Sequence, residues 1–76
     1  MRINITINDD TIRNDVTTAV YDLIDSDDIV IPENELSEFI NGLTETIIDK
    51  YCYDPYYVPH YYDETLDMAK LYKYAQ

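Results

Sequence analysis

Residues 32–51 read PENELSEFINGLTETIIDKY, and the spacing in this stretch decides the fold. Leu36, Phe39, Ile40, Leu43 and Ile47 recur three or four residues apart, the signature of one apolar stripe on a helix. Glu35, Glu38, Glu45 and Asp49 cluster almost opposite that stripe. Pro32 suits the first helical turn, and Glu33 and Glu35 suit its positive end. The pattern predicts a helix over residues 32–51. Gly42 falls in the middle of the acidic stripe, where it costs up to ~1 kcal/mol relative to alanine. It reads either as a tolerated surface glycine or as a place where a partner approaches the helix closely.

Upstream, Ile12, Val16, Ala19, Val20 and Leu23 make a second helical stripe over residues 11–25, with Asp9 or Asp10 offering an N-cap. Asp15, Asp22 and Asp25 fall on the far side of this helix. Ser26-Asp27-Asp28 breaks it, and Ile29-Val30-Ile31 reads as a short second strand or an extended connection. At the N-terminus, Arg2 to Asn8 alternates: Ile3, Ile5 and Ile7 share one face, as in a half-buried strand. Downstream, residues 52–63 form a tyrosine- and proline-rich loop. Asp63 then caps a final helix over 64–74, with Met68, Leu71, Tyr72 and Ala75 on one face. The expected architecture is a single α+β domain: an N-terminal strand over 1–8, a short strand at 29–31, and three helices.

Charge is the strongest functional signal. Residues 9–49 hold twelve acidic residues against Arg13, which accounts for the full net charge of −11. Like charges crowded on a small chain oppose compaction, and a 76-residue domain buries only ~60% of its unfolded surface. Generic surfaces mix signs, and this one has almost no lysine to balance its acids. Carboxylates on successive helical turns stand ~5–6 Å apart, a spacing broadly like that of phosphates along DNA. Such a surface repels nucleic acid and anionic lipid and attracts a basic protein. No apolar run exceeds three residues, so neither a membrane span nor a signal sequence is expected. Cys52 is the single cysteine, which excludes an internal disulfide and fits a reducing cytoplasm.

The loop contributes Tyr51, Tyr53, Tyr56, Tyr57, Tyr61 and Tyr62, more phenols than a thin core can bury with their hydroxyls satisfied. They read as interface anchors, as a lid on the core, or as both. Other chemistries are weakly represented. Asp25-Ser26-Asp27-Asp28 fails the register of a calcium loop: if Glu35 is the last ligand, Ile24 stands first and Ile29 replaces the turn glycine. Cys52 and His60 are too few for a structural zinc site, and nothing around them marks a nucleophile. Cys52 reads as a small hydrophobe at a helix end and His60 as a surface residue. No cofactor, metal site or catalytic residue is expected.

Over residues 9–62, the acidic helical faces, unpaired cysteine and aromatic loop resemble small phage-encoded inhibitors of host defence. That group includes anti-CRISPR proteins, anti-restriction DNA mimics and uracil-DNA glycosylase inhibitors. The resemblance implies non-catalytic occlusion of an Arg/Lys-rich nucleic-acid-binding surface, such as that of a CRISPR effector, in the host cytoplasm. The expected partner-binding residues are Asp15, Asp22, Asp25, Asp27, Asp28, Glu35, Glu38, Glu45 and Asp49, with Tyr53, Tyr56, Tyr57, Tyr61 and Tyr62 as hydrophobic anchors. Two other readings stand beside it: a tyrosine-led adaptor, monomeric or dimeric, whose acidity serves solubility, and a weak divalent-cation-binding regulator.

Overall fold

The computed structural model describes residues 9–75, which form three helices: α1 (Asp9–Asp25), α2 (Glu33–Tyr53) and α3 (Tyr61–Leu71). Among the described residues there is no sheet, so the α+β expectation is corrected to a helical bundle. The alternating Arg2–Asn8 segment, expected as a strand, lies outside the described residues. Ile29–Ile31 is an extended connection. Ile29 makes an isolated antiparallel bridge with Ala75, and the Val30 N–H donates to the Tyr74 carbonyl at 2.8 Å. Its apolar character comes from Ile29, which is fully buried as a plug in the end of the helical core. A single buried residue in a connector meets that need without a sheet.

The Ile29–Ala75 bridge places the exits of α1 and α3 at the same end of the bundle. The Lys50–Glu64 ion pair joins the end of α2 to the start of α3. The bundle is therefore up-down-up, with α2 antiparallel to both other helices. The predicted stripes of the first two helices are the core: Ile12, Val16, Ala19, Val20 and Leu23 meet Phe39, Ile40, Leu43 and Ile47. Each fully buried side chain of this kind contributes ~1.5–3 kcal/mol by leaving water.

The third helix differs from its sequence reading in both limits and face. It starts at Tyr61, not after Asp63. His60 is its N-cap and makes no side-chain capping hydrogen bond; instead the Glu64 carboxylate reaches back to accept the His60 N–H at 3.2 Å. Likewise Asp9 and Asp10 lie within the first turn of α1, and Pro32 is the N-cap of α2 rather than its first residue. The face of α3 that enters the core carries Thr65 and Ala69, both fully buried, whereas Leu71 is 79% exposed and Tyr72 59% exposed. Small side chains let α3 seat closely on α1, with Leu66 and Met68 packed at the core's edge and Leu71 and Tyr72 rotated outward. The buried hydroxyls are satisfied within their own helices: Thr65 donates to Tyr61 O at 2.6 Å and Thr44 to Ile40 O at 2.7 Å.

The parallel helices α1 and α3 end in the same way. Asp28 N–H returns to Leu23 O and Asp27 N–H to Ile24 O; Tyr74 N–H returns to Ala69 O and Lys73 N–H to Lys70 O. Both are Schellman motifs, and both require a left-handed residue, here Asp27 and Lys73, each at φ 64°. Glycine takes that conformation without steric cost. Asp27→Gly and Lys73→Gly are each predicted to stabilise the domain by about 1 kcal/mol in urea or thermal unfolding. An unchanged or lowered midpoint would show that these turns are not set by the backbone alone.

Candidate functional site

Three seams run along the bundle; most of the acidic residues border two of them, and Glu33 lines the third, between α1 and α2. Along α1 and α3, the Tyr62 hydroxyl donates to Asp22 Oδ2 at 2.5 Å, and Tyr61 stands beside Asp15. Along α2 and α3, the helices leave a furrow instead of closing. Glu35, Glu38, Phe39 and Gly42 form one wall, and Met68, Tyr72 and Tyr74 the other, around a cavity of about 130 Å³. A second hollow of about 160 Å³ shares Met68 and continues past Thr46 and Leu71 to Lys50 and Glu64. Glu45 and Asp49, both exposed, extend the Glu38–Gly42 line at helical spacing along the furrow's rim. Acidic rows from α1 and α2 therefore run on either side of α3, whose exposed surface adds Asp63, Asp67 and Lys70.

The α1–α2 seam carries the chain's single basic residue within the acidic block. Arg13 donates to Asn41 there, bonded to a neutral amide rather than to a carboxylate. Asp25, Asp27 and Asp28 occupy the exposed Schellman turn, where the Ser26 hydroxyl donates to Asp28 Oδ2 at 2.7 Å. Among the described residues, no three His, Cys, Asp or Glu side chains converge as a metal ion would require. Cys52 is exposed rather than packed, and His60 is exposed at its N-cap.

The expected tyrosine anchors divide into two kinds. Tyr53 and Tyr56 face solvent, at 93% and 88% exposed. The Asp54-Pro55-Tyr56-Tyr57 turn presents them: the Tyr57 N–H donates to Asp54 O, and the Tyr56 N–H to Asp54 Oδ1, both at 3.0 Å. Tyr57, Tyr61 and Tyr62 are instead tied to the bundle. Tyr57 packs edge-on to Tyr51 with ring centroids 5.3 Å apart, lies under the Lys50 ammonium, and donates its hydroxyl to Glu64. Glu64, absent from the expected site, is thus a hub: it also pairs with Lys50 at 2.5 Å and accepts the His60 N–H. Met68, Tyr72 and Tyr74 were also missed as groove residues. Met68 and Tyr72 carried a signal, the apolar stripe on the third helix; it pointed to the core, against which Met68 does pack, while Tyr72 is exposed.

Titration reflects this packing. Burial, then the hydrogen bond to Glu64, raises the Tyr57 phenol well above its ordinary range. Burial, then the Asp15 charge, pushes Tyr61 up to about 12. The Asp22 hydrogen bond raises Tyr62, and burial with the Glu35 charge raises Tyr74. Burial opposes ionisation of Glu64, but Lys50, Tyr57 and the His60 N–H outweigh it and hold the carboxyl below its ordinary value.

Comparisons with protein-family models, with curated proteins and with solved structures find no match for this chain. No helix among the described residues is long and apolar enough to cross a membrane.

A phenol with a raised ionisation range holds its proton more tightly in the folded chain than in the unfolded one. Its stabilisation is complete below pH ~10, the unfolded value, and is lost as pH climbs towards the folded one. Helicity is predicted to fall above pH ~10 together with a rise in tyrosinate absorbance, because the ionised phenols would face carboxylates. Glu64 contributes in the opposite direction: its stabilisation is present above pH ~4.3 and disappears as pH falls through its lower folded value. Circular dichroism across both limits tests this; retained helicity after full tyrosine ionisation would contradict it.

Proposed function

We propose that this chain is a non-catalytic, protein-binding inhibitor. Its acidic surface occupies the basic nucleic-acid-binding surface of a CRISPR effector or another host DNA-acting enzyme, acting in the host cytoplasm as a DNA mimic. The observation that supports it most is the manner in which the carboxylates are held. Asp22 is fixed by the Tyr62 hydroxyl, and Asp15 and Glu35 lie beside phenols of Tyr61 and Tyr74. A phenol positions a carboxylate without cancelling its charge, whereas a lysine would do both. The Glu38–Glu45–Asp49 rim has the same character, being exposed and regularly spaced. Arg and Lys of a DNA-binding channel can meet such groups through charge-assisted hydrogen bonds. Asp25, Asp27 and Asp28 extend the field at the bundle's end, where they serve long-range attraction more than docking.

One observation favours a second reading, the tyrosine-led interaction module. Tyr53, Tyr56 and Val58, the last 67% exposed, form an apolar tip on the loop between α2 and α3. A partner seated on that tip would bind through apolar area, with little dependence on salt.

Displacement of a labelled DNA duplex from purified candidate effectors separates the readings. For the true target, the chain is predicted to displace the duplex, and its affinity to fall by about tenfold or more as salt rises from ~50 to ~200 mM. Glu38→Gln, Glu45→Gln and Asp49→Asn together are predicted to weaken displacement with the fold unchanged, since all three side chains are exposed. Binding indifferent to salt and to these changes, but lost on Tyr53→Ala with Tyr56→Ala, would reject the mimic and support the module.

A further inference from the structure

We infer that the furrow between α2 and α3 is a receptor for one arginine side chain of the partner protein. This rests on the reading of the partner as a basic protein and names the subsite it would use. Arginine combines an apolar stem with a planar cationic head that stacks on aromatic faces and pairs with carboxylates. The furrow offers a counterpart to each part. Phe39, Tyr72 and Tyr74 form an aromatic cluster: Phe39 meets Tyr72 and Tyr74 edge-on at 6.2 and 5.8 Å, and Tyr72 stacks on Tyr74 at 5.9 Å. Met68 supplies a thioether for the stem, and Glu35 and Glu38 set two carboxylates on the rim. A cation over such rings gains ~0.5–2 kcal/mol beyond its pairing with the acids.

Gly42 leaves its position on the furrow wall without a side chain. A Cβ added there would meet nothing within 4 Å, so neither packing nor backbone strain calls for glycine at this helical position. Alanine would fit and would favour the helix by about 1 kcal/mol. The glycine removes a side chain from the wall shared with Glu38 and Phe39. Carboxylates border both ends of the furrow, but at the far end Glu64 and Asp67 stand with Lys50, which is already paired with Glu64. The Glu35–Glu38 end has no basic residue in its walls, and a cationic head is directed there.

The test uses the full chain and a defined probe, N-acetyl-arginine amide, followed by nuclear magnetic resonance. The neutral isostere N-acetyl-citrulline amide and Gly42→Leu serve as controls. Leucine keeps every charge, favours the helix and projects into the furrow. The expected result is saturable shifts at the Gly42 amide and the Met68 methyl, at least about tenfold weaker for citrulline and abolished by Gly42→Leu. Shifts spread without saturation over all carboxylates, equal responses to citrulline, or binding unchanged in Gly42→Leu would each overturn the assignment. The same variant in duplex displacement keeps this result separate from the wider reading. Loss of displacement supports the furrow as the docking point. Displacement unaffected by Gly42→Leu but lost on neutralising Glu38, Glu45 and Asp49 would overturn the furrow and leave the mimic standing.

Discussion

The constraint on which this structure depends is the need to hold carboxylates in place with almost no cations. Residues 9–49 carry twelve acids and one base, and that base, Arg13, is spent on Asn41. Phenols take over the task. Tyr62 crosses from α3 to Asp22 on α1, Tyr61 reaches Asp15, and Tyr74 stands by Glu35. Each contact joins separate elements, so the tyrosines supply cohesion between helices whose acids repel one another. The field outside the molecule is left nearly undiminished, because neutral donors do not cancel it. At the Lys50–Glu64 hub an ion pair performs this role, at the junction where the chain must turn from α2 into α3.

The second determinant is the seat of α3. Thr65 and Ala69 are small, so α3 approaches α1 closely, and Leu71 and Tyr72 turn aside. That rotation has two results. It brings Tyr61 and Tyr62 over the acids of α1, and it leaves Met68, Leu71 and Tyr72 bordering an unfilled furrow against α2. Gly42 adds no side chain to that furrow. Packing and presentation thus have a common origin in a few side chains of one short helix.

The two long helices were legible in the sequence because their apolar spacing was unambiguous, and their buried faces are the ones the spacing indicated. The third was not. Reading large apolar side chains as core selects Met68, Leu71 and Tyr72; Met68 does pack against the core, but Leu71 and Tyr72 turn out, and Thr65 and Ala69 take the closest contact. Asp63 resembled a cap, but the helix starts back at Tyr61, which places Asp63 in its first turn, and Glu64 reaches back to the His60 N–H. Ile29–Ile31 has strand-like composition because one buried isoleucine closes the core, a need that composition does not distinguish from strand formation. The acids were correctly placed on outward faces. Their pairing with tyrosines spans up to forty positions, as between Asp22 and Tyr62, and no local pattern encodes it.

The central claim is that the acidic rows beside α3, and not the tyrosine tip, meet the partner. Carbodiimide labelling of exposed carboxyls, read by mass spectrometry with and without the bound target enzyme, addresses it most directly. The account predicts that Glu38, Glu45 and Asp49 lose reactivity in the complex while Asp54, in the tyrosine turn, labels as in the free chain. Protection confined to Asp54, with the α2 row as reactive as before, would contradict it.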